Sequence, residues 1–192
     1  MVSVTTSAAT GLPFGRPLTA ADLESLPDDG HRYELLDGTL LVSPSPGFSH
    51  QTVLGQLYVR LQAACPRDLR VILAPFAVLL TPSTELQPDL LVAPRRDFTA
   101  KNLPGPPLLA VEIRSPSTAL IDRTLKRAAY ARHGVPSYWL VDPDPGAPSI
   151  RALELHGEDY AEAAHAVGTE EFVVTRPFPV RLTPADLVDR AD

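Results

Sequence analysis

Two short apolar runs, each broken by a single acid, constrain the fold of this chain more than any other feature. The first is LQPDLLVAP, residues 86–94, and the second is LLAVEIRSPST, residues 108–118. Both have the length of buried strands and are bounded by Pro, Gly and Ser. Each carries one carboxylate, Asp89 at the start of the first run and Glu112 near the end of the second. Moving a lone carboxylate out of water costs several kcal/mol unless a partner compensates it. An acid near a strand end is most often solvated or salt-bridged, so the pair is more telling than either member. If the two strands are neighbours, both carboxylates reach one edge of a sheet.

The remaining elements follow from periodicity. LTAADLESLP (18–27) has Thr19 as a possible N-cap and suits a short helix. RYELLDGTLLVSP reads as two strands about Asp37-Gly38. Val53, Leu54, Leu57, Leu61 and Ala64 are spaced for one face of a helix after SPGFSH. RVILAPFAVLLTP (70–82) is expected as one strand and DLLVAP (89–94) as the next. ALIDRTLKRAAYARHG predicts a helix with Ile121, Leu125, Ala128, Ala129 and Arg132 at helical spacing and Gly134 as its stop. SYWLVDP is a strand with Tyr138 and Trp139 in the core, residues 149–182 are sheet-edge material, and TPADLVDRAD is a last short helix. Residues 1–17 are expected to be flexible, leaving 18–192 as one domain.

A formal charge of −6 argues against a chain coated for nucleic acid. Residues 60–132, however, hold eleven Lys or Arg against six acids, leaving −11 to the rest, which permits a basic face on an acidic protein. The single cysteine, Cys65, excludes an internal disulfide framework and suits a reducing compartment, so a cytoplasmic location is expected. No run is apolar and long enough to span a bilayer, and no basic leader precedes an apolar one. P-loop, zinc-spaced Cys/His and G-x-S-x-G patterns are absent from the sequence, which removes support for those chemistries.

Two convergent carboxylates are hard oxygen ligands of the kind Mg²⁺ or Mn²⁺ prefers, and a bound cation would keep both ionised. Asp89 and Glu112 are therefore candidate metal ligands. Lys126 and Lys101 are the only lysines among seventeen cationic side chains. Lys126 lies on the helix after Glu112, four residues from Asp122 and one turn before Tyr130; it reads either as an ordinary Asp-Lys surface pair or as a charge that stabilises a phosphoryl oxygen. On its residues alone Glu34 is an exposed hairpin acid. His50 is a candidate neighbour of the site but softer than this ligand set. Gln87 is a candidate contact to a metal-bound water or a turn residue, and Ser115, Ser117 and Thr118 are candidate caps or phosphate contacts.

RYELLDGTLLVSPSPGFSHQ, QPDLLVAP, VEIRSPST, the helix with Lys126 and Tyr130, and GVPSYWLVDP together resemble the Uma-type restriction endonucleases of the PD-(D/E)XK nuclease superfamily, over about residues 18–190. The resemblance implies an α/β (α+β) restriction-endonuclease-like core, a mixed β-sheet flanked by helices, with an extra N-terminal hairpin and C-terminal strands. It implies Asp89 and Glu112 as metal-binding acids, Glu34 as an accessory acid and Lys126 as the catalytic lysine. The superfamily's usual lysine position, two residues after the second acid, holds Arg114, which is always charged and cannot accept a proton. The activity implied is Mg²⁺- or Mn²⁺-dependent hydrolysis of DNA, with a homodimer suited to cutting both strands. Two rivals remain: a catalytically inactive nuclease-fold module that binds DNA or a protein partner, and hydrolysis of another phosphate ester, which a small closed pocket would favour.

Overall fold

The structure, a computed structural model, describes residues 13, 15–115 and 122–188, the side chains of 122 and 123 excepted. The chain opens with α1 (Ala20–Leu23), whose start is fixed by the Asp22 carboxylate accepting from the backbone N–H and hydroxyl of Thr19. β1 (Arg32–Leu36) and β2 (Thr39–Ser43) form the expected hairpin. Its turn residues Asp37 and Gly38 have φ of +49° and +79°. Gly38 is further required by space, since a Cβ there would lie 2.5 Å from the Cβ of Pro17.

α2 (Phe48–Ala64) buries Val53, Leu54, Leu57 and Leu61, while Ala64 is exposed, contrary to its expected inward place. The expected single strand at 70–82 is two strands in different sheets, β3 (Leu69–Leu73) and β4 (Ala77–Thr81), divided at Ala74-Pro75-Phe76. Pro75 has no N–H to donate, so the ladder ends there and the chain changes sheet. β5 (Thr84–Leu86), β6 (Leu90–Pro94), β7 (Asn102–Pro104) and β8 (Leu109–Ile113) follow. After the undescribed residues 116–121, a π-helical turn (Asp122–Lys126) leads into α3 (Arg127–Arg132), which stops at Gly134 with φ of +74°.

Lys126, Ala129, Tyr130 and Ala131 are buried, while Leu125, Ala128 and Arg132, spaced with Ala129 in the sequence, are exposed. Ile121 lies outside the described residues. The chain ends with β9 (Ser137–Asp142), β10 (Ser149–His156), β11 (Asp159–Val167), β12 (Phe172–Val174) and β13 (Val180–Leu182). The expected terminal helix is one 3₁₀ turn at Pro184–Asp186, with 189–192 outside the described residues.

These strands make a mixed five-stranded sheet ordered β2-β1-β5-β4-β7, a mixed six-stranded sheet ordered β11-β10-β9-β8-β6-β3, and a β12-β13 ribbon. β6 and β8 are neighbours, the arrangement in which the two acids reach one edge, and they run antiparallel. Strand alternation then assigns the faces. Leu90, Val92, Leu109, Val111 and Trp139 pack with the apolar side of α2. Ala110 and Tyr138 on the opposite face pack with Ala129 and Tyr130 of α3 and with Leu36, Leu41 and Leu86 of the other sheet. Glu112 shares the face of Ala110, and Asp89 that of Leu91, so both acids are directed between the two sheets. No helix among the described residues is long and apolar enough to cross a membrane.

A candidate active site between the sheets

The β6–β8 register pairs Leu90 with Val111, and one step further places Asp89 opposite Glu112. Like charges directly opposite on neighbouring strands destabilise a sheet unless cations intervene. Two cations do. Arg32, from β1, sets its Nη2 2.8 Å from Asp89 Oδ1, and Lys126 sets its Nζ 3.1 Å from Glu112 Oε1. Glu34, two residues after Arg32 on the same face of β1, joins from the other sheet with its Oε1 2.8 Å from Lys126 Nζ. The expectation that Glu34 is a solvated hairpin acid is therefore corrected: it is 2% exposed, as are Asp89 and Glu112, and Lys126 is 3% exposed. A surface Asp-Lys pair is corrected in the same way, since Lys126 is buried between two glutamates; the side chain of Asp122 lies outside the described residues.

Asp89 is the most heavily held of the acids. Besides Arg32, its Oδ2 accepts from the Ile113 N–H at 2.8 Å and lies 3.0 Å from His50 Nε2. A carboxylate only accepts, so His50 donates from Nε2. Its Nδ1 is buried with no partner among the described residues. Burial alone would raise the Asp89 pKa, but the His50 hydrogen bond, the Arg32 charge and the Ile113 N–H outweigh it and bring it to about 2. The cost of burying this acid is thus offset by three donors, from β1, α2 and β8.

A depressed carboxylate pKa stabilises the fold above its unfolded value and loses that contribution on acidification. In metal-free buffer, stability is expected to fall by about 2 kcal/mol as the pH drops from near 4 towards 2. Urea unfolding across that range checks it, and Asp89→Asn should remove that part of the slope.

Tyr130 donates its hydroxyl to Glu112 Oε1 at 3.1 Å. Its complete burial, reinforced by the Glu112 charge, raises its pKa well above the usual phenol range, so it stays a donor. Tyr130→Phe removes one buried hydrogen bond while keeping the ring pair with Tyr138. The expected cost is about 1–2 kcal/mol in urea unfolding.

Gln87 ties into the site through both its backbone and its side-chain amide. Its N–H donates to Glu34 Oε1 at 2.7 Å, its carbonyl accepts from Arg32 at 3.0 Å, and its side-chain amide donates to the Tyr33 carbonyl. Arg114 is half-exposed and pairs outward with Asp142, and the cation beside Glu112 is Lys126. Ser115 lines the site, whereas Ser117 and Thr118 lie outside the described residues. Arg32 was not foreseen. The available signal was its position two residues before Glu34 on a strand, which sends both side chains the same way.

The charged side chains face a hollow of about 200 Å³, roomy enough for a hydrated ion. Among the described residues, no three His, Cys, Asp or Glu side chains form a metal-holding group. Two carboxylates, one just before β6 and one on β8, nevertheless match the way Mg²⁺ binds, through one or two protein carboxylates with water and phosphate completing the shell. Three acids against Arg32 and Lys126 leave one formal negative charge with His50 neutral, so the donor chemistry and charge fit a hard divalent cation.

The expected basic face is less continuous than the sequence suggested. Arg96, Lys101, Arg114, Arg127 and Arg132 each pair with an acid. Arg67, Arg70 and Arg95 are exposed at the end of β3 and β6 away from Asp89.

No curated protein matches the chain. A crystal structure from Anabaena variabilis ATCC 29413, described as "a putative nuclease belonging to DUF820", superposes with a TM-score of 0.68 at 20% identity, over 89% of this chain and 97% of that one. At that identity the likeness establishes a shared fold, in keeping with the expected α+β class of mixed sheets flanked by helices. The Uma2 family, described as "Putative restriction endonuclease", matches residues 20–187. With that match spanning both sheets and every charged residue of the buried cluster, the chain belongs to the Uma2 family.

Proposed function

We propose that the protein is a metal-dependent endonuclease that hydrolyses phosphodiester bonds in DNA. The observation that carries this reading is the placement of Lys126 Nζ between Glu34 and Glu112, on the face where Asp89 stands opposite Glu112. Asp89 and Glu112 would hold Mg²⁺ or Mn²⁺, which when bound polarises the scissile phosphate and acidifies water. The chain's own groups do the rest. Lys126 offsets the charge that grows on a phosphoryl oxygen as water adds and the bond to the leaving sugar oxygen breaks. Glu34, held by the Gln87 N–H, keeps that ammonium in place, and Arg32 with His50 keeps Asp89 ionised and oriented. The reading carries with it a cytoplasmic location beside its substrate, and a two-fold homodimer wherever both strands of a duplex are cut.

A second reading has one observation in its favour: each acid already has a cationic or hydrogen-bonding partner, as in an inactive module that keeps the fold to bind DNA or a protein. Incubating plasmid and single-stranded DNA with the purified protein in Mg²⁺, Mn²⁺ or EDTA separates the two. Metal-dependent cleavage supports the nuclease; DNA or protein binding without metal binding or cleavage supports the module.

A further inference from the structure

The 200 Å³ hollow adjoins a much larger cleft of about 770 Å³, and the two share Arg32, Pro44, Ser45, Pro46 and His50 in their walls. We propose that this cleft binds unpaired deoxynucleotides flanking the scissile phosphate, so that DNA reaches the buried carboxylates as a single strand and not as an intact duplex. The inference rests on the nuclease reading and names its substrate class.

Depth is the first reason. Asp89, Glu112, Glu34 and Lys126 are only 2–3% exposed, so the reacting phosphate must descend below the protein surface. A duplex is stiff over roughly 150 base pairs and bends into such a hollow at a cost of several kcal/mol, whereas one strand turns freely.

Size and lining are the second. At about 770 Å³ the cleft falls within the usual range for sites that enclose small organic ligands. Tyr33 and His31, neighbours on and beside β1 with ring centroids 6.3 Å apart, supply flat faces of the kind on which unpaired bases stack. Gln51 and Asn102 add side-chain amides that can both donate to and accept from base edges.

Charge is the third. Arg32 stands where the cleft meets the catalytic hollow, while Glu24, Asp28 and Glu85 line the cleft away from it, against Lys101. A duplex carries a negative charge every 1.7 Å of its axis and is repelled by such a wall. Exposed bases are neutral, and their amino groups donate hydrogen bonds to carboxylates.

The test is fluorescence anisotropy in EDTA with a labelled single-stranded oligodeoxynucleotide and a blunt duplex containing the same strand. The wild-type protein is expected to hold the single strand at least about tenfold more tightly than the duplex. Tyr33→Leu keeps an apolar side chain on β1 and removes the stacking ring, and Gln51→Leu removes the amide at an exposed helix position without adding charge; each should weaken single-strand binding by about five- to tenfold and leave duplex binding unchanged. Equal or tighter binding of the duplex overturns the proposal, as does single-strand affinity that neither substitution alters. Because binding is read without turnover, the two readings fail separately. Single-strand binding that depends on Tyr33 in a protein that never cuts DNA overturns the nuclease and retains the cleft; cleavage of duplex with no preference for single strands does the reverse.

Discussion

Glu112→Gln is expected to lower metal-dependent DNA cleavage by roughly 10³-fold, about 4 kcal/mol of transition-state stabilisation, while the protein remains folded. The substitution keeps the shape of the side chain and its acceptor oxygen for Tyr130, and Lys126 retains Glu34 at 2.8 Å. It also relieves the repulsion across the β6–β8 pair, where the register sets Asp89 opposite Glu112. Folding stability should therefore change by no more than about 1 kcal/mol. Asp89→Asn is expected to abolish cleavage to a similar degree and to cost more stability, because Arg32 and His50 both lose their anionic partner. Rates measured on plasmid in Mg²⁺, alongside urea unfolding of each variant, distinguish a lost ligand from a lost fold. Cleavage by Glu112→Gln within a few-fold of wild type would remove this carboxylate from the chemistry.

Lys126→Met carries the largest expected effect on stability. Its ammonium is the cation between Glu34 and Glu112, all three being almost completely buried. Removing one partner of a buried ion pair leaves uncompensated charge and costs about 3–5 kcal/mol, against about 5–15 kcal/mol for an entire domain. The midpoint of urea unfolding should fall accordingly. Adding Glu34→Gln to Lys126→Met should recover part of the loss, since one of the stranded carboxylates is then neutral, and the cycle of single and double variants measures the coupling. Additive losses would mean that the 2.8 Å contact contributes nothing as a pair.

Much of this arrangement was legible in the sequence because hydrophobic burial imposes it. Two five-residue apolar strands in a domain of this size have to lie in the interior, and their antiparallel pairing brings Asp89 and Glu112 together. The hairpin at Asp37-Gly38 was legible for a local reason, the positive φ that both positions adopt. What escaped depended on contacts between distant elements. A partner for Asp89 was required, but Arg32 lies 57 residues away, in a strand whose polar positions look solvent-facing until the second sheet covers them. Glu34 was misplaced on its residues alone for the same reason. The split of residues 70–82 was masked by two apolar runs that together resemble one long strand, although Pro75 between them was the available warning. In the last helix the apolar spacing of Leu125, Ala128 and Arg132 pointed to a different side from the one buried, because the inward face carries Lys126, whose charge is compensated only by Glu34 and Glu112 from distant strands. Lys126 and Tyr130, four residues apart, share that face and both reach Glu112.

The central claim, that Asp89 and Glu112 form a centre for a divalent ion beside Lys126, is tested most directly by anomalous diffraction from crystals soaked in Mn²⁺. The account predicts one strong anomalous peak within coordination distance of both carboxylates, absent from Glu112→Gln crystals soaked alongside. Soaked wild-type crystals with no peak in the hollow between the sheets, at a Mn²⁺ concentration at which the protein cuts DNA, would contradict it.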